Sequence, residues 1–177
     1  LCSGAGGLDL GVHIAEPSYR AVCYVEWEAF AAATLVARME SAALDRAPVW
    51  DNVATFNGRR WRGAVDFLTA GYPCQPFSNA GKRLGTKDPR HLWPHVRRII
   101  VQCRPEWVFL ENVGGHLSLG FDIVHRELSQ LGFEVAARLQ SAAETGASHE
   151  RERLFILAHR PRGERERGGC EREGRRT

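Results

Sequence analysis

Nowhere in these 177 residues does an apolar run approach the roughly 20 residues a helix needs to cross a bilayer. No charged-then-apolar leader with a small-residue cleavage site opens the chain either. A soluble, cytoplasmic protein with no membrane partner is the expectation. The five cysteines, Cys2, Cys23, Cys74, Cys103 and Cys170, are odd in number and nowhere form C-x-x-C. That pattern argues against both a disulfide framework and a zinc site, so no metal is expected and each thiol needs its own explanation. Lysine is nearly absent, with only Lys82 and Lys87 beside 22 arginines, a compositional association with GC-rich coding sequence. What is present is ordinary: 44% hydrophobic and 25% charged residues describe one globular domain with enough apolar surface for a core. Disorder, collagen and coiled coil are excluded as descriptions of the whole.

The formal net charge of +3 must be located before it is used. Residues 160–177 hold seven Arg and four Glu, which leaves 17 basic and 17 acidic side chains in residues 1–159. The tail is low in complexity and cannot bury a face, so it reads as disordered, and residues 1–159 read as the domain. Within that neutral domain both lysines fall in one short stretch with Arg83 and Arg90. The chain starts at Leu1 directly before a glycine turn. Any strand leading into that turn is therefore expected to be a stub, and the domain to be incomplete.

Periodicity predicts short helices over 8–15, 29–44, 91–103 and 121–131, the last closed by Gly132. Apolar runs predict strands over 21–25, 65–72, 107–110, 133–139 and 154–158, with a shorter one at 48–50. Strands alternating with helices imply an α/β fold, a mostly parallel sheet with helices on both faces. Ligands bind such folds beyond the carboxyl ends of the strands.

The first candidate site is Ser3-Gly4-Ala5-Gly6-Gly7-Leu8, between the strand stub and a helix. Glycines there admit close backbone approach and leave a helix N-terminus open to a negatively charged group, although a tight turn without a ligand explains them equally well. About 20 residues on, Glu26 and Glu28 flank Trp27 where this kind of fold places an acidic acceptor for ribose hydroxyls, which points to a nucleoside-containing cofactor. Trp27 is either a stacking surface for an adenine ring or a core aromatic. Asp51 either accepts from an adenine amino group or is an ordinary turn aspartate. In the second candidate site, Gly71-Tyr72-Pro73-Cys74-Gln75-Pro76, Pro73 and Pro76 hold Cys74 in a stiff turn at the ligand edge of the sheet. Cys23 and Cys103 read as inert buried thiols.

These residues resemble the DNA cytosine-5 methyltransferases. The resemblance rests on SGAGGLDLG at 3–11, VEWE at 25–28, PCQPFSNAGKRLGTKDPR at 73–90, ENV at 111–113 and RER at 151–153, in the family's order, and it covers residues 1–159. It implies a Rossmann-like fold that uses S-adenosyl-L-methionine, held by residues 3–8, Glu26, Trp27, Asp51 and Pro73. Double-stranded DNA is the implied partner. Cys74 attacks carbon 6 of a flipped-out cytosine, which makes carbon 5 an acceptor for the methyl group. Glu111 serves nitrogen 3, with partial burial at a strand end expected to keep a proton available. Arg151 and Arg153, alternating along the last strand, orient the base. Asn112 is grouped with the substrate side and holds the turn. Gln75 and Ser78 touch DNA, while Lys82, Arg83, Lys87 and Arg90 meet phosphates from a glycine-hinged loop.

Departures accompany the likeness. Cys2 stands where the family usually has Phe, and Ser148-His149 replaces the usual Pro-Gln. The family also continues into a target-recognition region and a closing segment, so a complementary chain or segment carrying recognition is expected. A bacterial or phage modification enzyme is the leading reading. An RNA cytosine-5 methyltransferase and an inactive DNA-binding remnant are the alternatives. A thiol redox protein is disfavoured because no resolving cysteine lies near Cys74.

Overall fold

The structure, a computed structural model, describes residues 1–73 and 92–160. The elements run α1 (Gly7–Ala15), β1 (Tyr24–Val25), α2 (Ala29–Glu40), β2 (Val49–Trp50), β3 (Phe67–Ala70), α3 (Trp93–Cys103), β4 (Trp107–Val113), α4 (His116–Leu119), α5 (Phe121–Gln130), β5 (Glu134–Ser141) and β6 (Glu152–His159). β1 pairs with β2 in parallel, and a second ladder runs β3-β4-β6-β5. Residues 1–3 join the two. The Leu1 nitrogen donates to the Thr69 carbonyl at 2.7 Å, and the Leu1 carbonyl accepts from Gly71 N at 3.2 Å, the pattern of a parallel pair. On the other side Ser3 N donates to the Val25 carbonyl at 3.1 Å. The order across the sheet is therefore β2, β1, residues 1–3, β3, β4, β6, β5.

β6 alone runs against its neighbours, β4 and β5. The short connection over residues 142–151 allows only an antiparallel return, whereas the parallel pair β3 and β4 is joined by a long crossover containing α3. The expected mostly parallel α/β sheet is what forms.

Alternation along the strands builds two apolar layers. Tyr24 points into a small cluster with Leu35, Met39 and Leu44, while its neighbour Val25 points to the opposite face. On that second face Leu68 and Ala70, Val108 and Leu110, and Leu154, Ile156 and Ala158 bury against α3 and α5. α3 presents Trp93, Val96, Ile99, Ile100 and Cys103 along one stripe, and α5 presents Val124 and Leu128. Buried Asp9 of α1 accepts from the Tyr19 hydroxyl at 2.8 Å and the Thr69 hydroxyl at 2.9 Å, tying the first helix to β3. Burial and the Asp9 carboxylate push the Tyr19 phenol up.

Several boundaries differ from the sequence pattern. α2 ends at Glu40 rather than Leu44, because the chain turns back with Ala42 in the left-handed region at φ +59°. β1 and β3 are shorter than their apolar runs, and β5 and β6 are longer. β4 extends three residues beyond Leu110, drawn out by pairing with β6, so Glu111 and Asn112 lie within the strand rather than after it. Helix α4 was not anticipated. Cys103 is buried as expected, whereas Cys23 is only half-buried.

Burial pushes the Cys103 thiol from its ordinary 9.0 up to about 11, with Cys23 raising it further and Arg62 opposing, and burial pushes Tyr24 up to about 12. Both groups ionise at lower pH when unfolded. Their contribution to stability is therefore complete below about pH 9 and drains away as pH rises through the folded values. Cys103→Ala is expected to flatten the fall of the urea midpoint between pH 9 and pH 11, and an unchanged slope would contradict this assignment.

Candidate active site

The glycine turn sits at the carboxyl end of the strand positions in the middle of the sheet. Gly4 and Gly6 adopt φ +53° and +79°, the left-handed region that favours glycine. A Cβ on Gly6 would come within 2.5 Å of Leu44 Cδ1, so packing demands glycine there as well, while a Cβ on Gly4 or Gly7 would meet nothing within 4 Å. Gly6 begins α1 without a side-chain cap. The backbone on the Gly4 and Gly7 side is thus left bare.

Glu26 follows β1 and binds the turn. One carboxylate oxygen accepts from Gly4 N at 2.7 Å and the other from Glu28 N at 2.8 Å. Glu28 in turn caps α2 by accepting from Ala31 N at 2.7 Å. Each Glu26 oxygen keeps lone-pair capacity toward a ligand hydroxyl. Trp27 is 77% exposed, which removes the core alternative, and Phe30 on the first turn of α2 is 80% exposed. Phe30 escaped the sequence reading because an aromatic in an alanine-rich helical stretch reads as core. Asp51 is exposed just past β2, at the same edge. Burial is the chief cause that pushes the Cys2 thiol up, with the Glu26 charge adding to it and the chain's amino group opposing.

The end of β3 meets the end of β4. A Cβ on Gly71 would lie 3.5 Å from both the Cys2 carbonyl and Glu111 Oε2. The start of the glycine turn, the Glu111 carboxylate and the segment leading to Pro73 therefore converge. Glu111 forms an ion pair with Arg153, and both side chains remain partly open to solvent. The pairing follows from register: Arg153 stands opposite Val113, so it shares a face with Glu111 two residues back. Glu111 thus faces a guanidinium rather than apolar surroundings. Arg151 precedes β6 and is exposed, so the two arginines do not alternate within the strand as expected.

Asn112 is 3% exposed. Its amide nitrogen donates to the Tyr72 carbonyl at 3.1 Å, and its amide oxygen accepts from Val113 N at 2.9 Å. Both polar ends are engaged inside the protein, so it holds the turn and does not present its side chain to DNA. Pro73 is exposed at the end of the described stretch. Cys74, Gln75, Ser78, Lys82, Arg83, Lys87 and Arg90 lie outside the described residues, as do residues 161–177 of the tail.

The family profile of the C-5 cytosine-specific DNA methylases matches residues 1–170. The chain belongs to that family. Among curated relatives, the Type II methyltransferase M.NgoMIV of Neisseria gonorrhoeae is 36% identical over 166 residues, covering 89% of this chain and 50% of the relative. M.NaeI of Lentzea aerocolonigenes is 34% identical over 163 residues, covering 89% and 38%. The chain therefore spans about half or less of the curated relatives it matches. Among solved structures, the S. pombe Dnmt2 methyltransferase superposes with a TM-score of 0.70 at 21% identity, over 92% of this chain and 50% of that one. A prophage-encoded putative DNA modification methyltransferase from E. coli gives 0.68 at 23%, over 89% and 44%. The chain has the Rossmann-like methyltransferase fold.

Among the described residues no helix is long and apolar enough to cross a membrane, and no group of three ligating side chains could hold a metal. A cavity of about 330 Å³ is lined by Asp9, His13, Tyr24 and Met39, among others.

Proposed function

We propose that this protein transfers a methyl group from S-adenosyl-L-methionine to carbon 5 of cytosine in double-stranded DNA, as part of a bacterial or phage modification system. The observation that carries the reading is the convergence at Gly71, where the carboxylate of Glu111 and the start of the glycine turn both approach the strand end that leads into Cys74. The bare backbone at Gly4 and Gly7, the Glu26 carboxylate and the exposed Trp27 ring fit a nucleoside with a charged tail. Bound there, S-adenosyl-L-methionine supplies an electrophilic methyl group. Asp51 and Pro73 complete the proposed cofactor edge.

The remaining chemistry belongs to the chain. The Cys74 thiolate adds to carbon 6 of an extruded cytosine and the ring's electron density moves to carbon 5; after methylation the carbon 5 proton is lost to solvent and Cys74 leaves carbon 6 as thiolate, restoring the ring. Glu111, in the form that has taken up a proton from solvent, donates a hydrogen bond to nitrogen 3, which lets the ring accept that density. Arg153 holds the Glu111 carboxyl in place and, with Arg151, faces the base. Gln75, Ser78 and the Lys82, Arg83, Lys87 and Arg90 side chains meet the DNA backbone. Groove contacts that choose a sequence are assigned to a part of the longer relatives outside the match.

Incubation of the protein with labelled S-adenosyl-L-methionine and duplex DNA is expected to place label on cytosine carbon 5. Glu111→Gln is expected to slow transfer by about 10²- to 10³-fold while cofactor affinity holds. Label in transfer RNA and none in DNA would replace the substrate assignment with the RNA reading. No label in either, with cofactor bound, would leave the inactive remnant.

A further inference from the structure

Tyr72 precedes Pro73 and Cys74 in the chain, yet it is 4% exposed. Its ring lies between Trp93 of α3, with ring centres 5.8 Å apart, and His116 of α4, 6.1 Å away and nearly perpendicular. The phenol oxygen is 3.5 Å from His116 Nε2, at the long limit of a hydrogen bond. Trp93 is held in turn through its indole nitrogen, which donates to Glu127 Oε2 at 2.8 Å.

His116 is 4% exposed and has little freedom. Its ring lies against Gly120, where a Cβ would come within 2.7 Å of Cε1 and 2.9 Å of Nδ1. Gly120 also donates its N–H to the His116 carbonyl at 3.1 Å, closing the single turn of α4. A glycine at 120 is what lets this imidazole occupy its place.

Glu111, Asn112 and His116 ride on one short stretch, the end of β4 and the turn into α4. Tyr72 rides on the other, the exit from β3. Asn112 ties the two through the main chain at Tyr72, and His116 ties them through the side chain of the same residue. The buried hydroxyl and the buried ring nitrogen lie in contact at a place where phenylalanine against an apolar residue would fill the same space without polar groups to satisfy. A two-point attachment of one residue restricts both translation and rotation of the strand end.

We propose that Tyr72 and His116 are positioning residues for the reaction, and that their contact sets the placement of the β3 exit relative to the Glu111 carboxyl. The inference rests on the reading of Cys74 and Glu111 as reacting groups. It assigns no contact with cofactor or DNA to either residue. The cofactor edge, at Gly4, Glu26 and Trp27, is built from other elements and stays as it is when the contact is removed.

Tyr72→Phe, His116→Leu and His116→Gln separate positioning from a merely structural role. Tyr72→Phe and His116→Leu are expected to lower kcat for methyl transfer about tenfold, with KM for S-adenosyl-L-methionine within twofold of the parent. His116→Gln, whose amide still reaches the phenol, is expected to recover to within about threefold. The rate of Cys74 alkylation by iodoacetamide, read by peptide mapping, should shift at least threefold in the first two variants and less in the third. That measurement needs no turnover of DNA, so it tests the contact even when the parent fails to methylate. A parent that binds cofactor but forms no adduct with DNA containing 5-fluorocytosine would overturn the reading of Cys74. Unchanged kcat and unchanged alkylation in folded Tyr72→Phe and His116→Leu would overturn the positioning role, as would a loss of cofactor affinity equal to the loss of rate.

Discussion

Cys74→Ser is expected to abolish the covalent complex with DNA carrying 5-fluorocytosine while S-adenosyl-L-methionine still binds. A serine hydroxyl at its ordinary pKa is a far weaker nucleophile than a thiolate, and removing the nucleophile of a covalent mechanism costs on the order of 10⁴-fold or more in rate. The proposed cofactor edge comprises residues 3–8, Glu26 and Trp27, none of which depends on the sulfur. Gel-shift detection of the adduct and calorimetric titration of the cofactor read the two properties separately. Retention of the adduct in the serine variant would remove Cys74 from the mechanism, and parallel loss of cofactor binding would show that the substitution had disturbed the fold.

Gly6→Ala is expected to be the most destabilising of the three changes in the glycine turn. At φ +79° an L side chain costs about 1–2 kcal/mol, and the added methyl would press on Leu44 and Leu35 in the smaller apolar cluster, for roughly 1–3 kcal/mol more. About 3 kcal/mol in total corresponds to a melting midpoint lowered by roughly 10 °C in a domain of this size. Gly4→Ala carries the backbone cost alone, because nothing stands within 4 Å of its Cβ. Gly7→Ala carries neither cost and lies in α1, so stability should hold or rise by a few tenths of a kcal/mol. Any loss of cofactor affinity in Gly7→Ala then reports on the bare backbone as a binding surface. Melting curves for the three variants check the order, and an unaffected Gly6→Ala protein would refute the packing argument.

Most elements of this fold were legible because each carries a local signal, the single turn of α4 excepted. The stripe of Val96, Ile99, Ile100 and Cys103 has helical spacing, and the glycine turn marks the entry to α1. The sheet edge that gathers the site was legible from the strand-helix alternation. Glu111 was legible as a carboxylate near a strand end, yet the strand continues through it because pairing with β6 is non-local. Trp27 could not be assigned between core and surface from its neighbours alone, since exposure depends on what packs over it. Tyr72 and His116 gave no signal: they are 44 residues apart, and nothing in either local pattern announces the other.

From its residue order the protein has an α/β architecture, a thiol between two prolines, a glycine turn before a helix and an acidic pair after a strand. Those properties follow from short-range sterics and side-chain chemistry. Only the tertiary structure decided that β6 returns antiparallel beside β4, that Arg153 thereby reaches Glu111, and that Asn112 turns inward to Tyr72 instead of outward to DNA. Strand register is chosen by the joint burial of Leu110, Leu154 and Ile156 against α3 and α5, a condition on residues far apart in the chain.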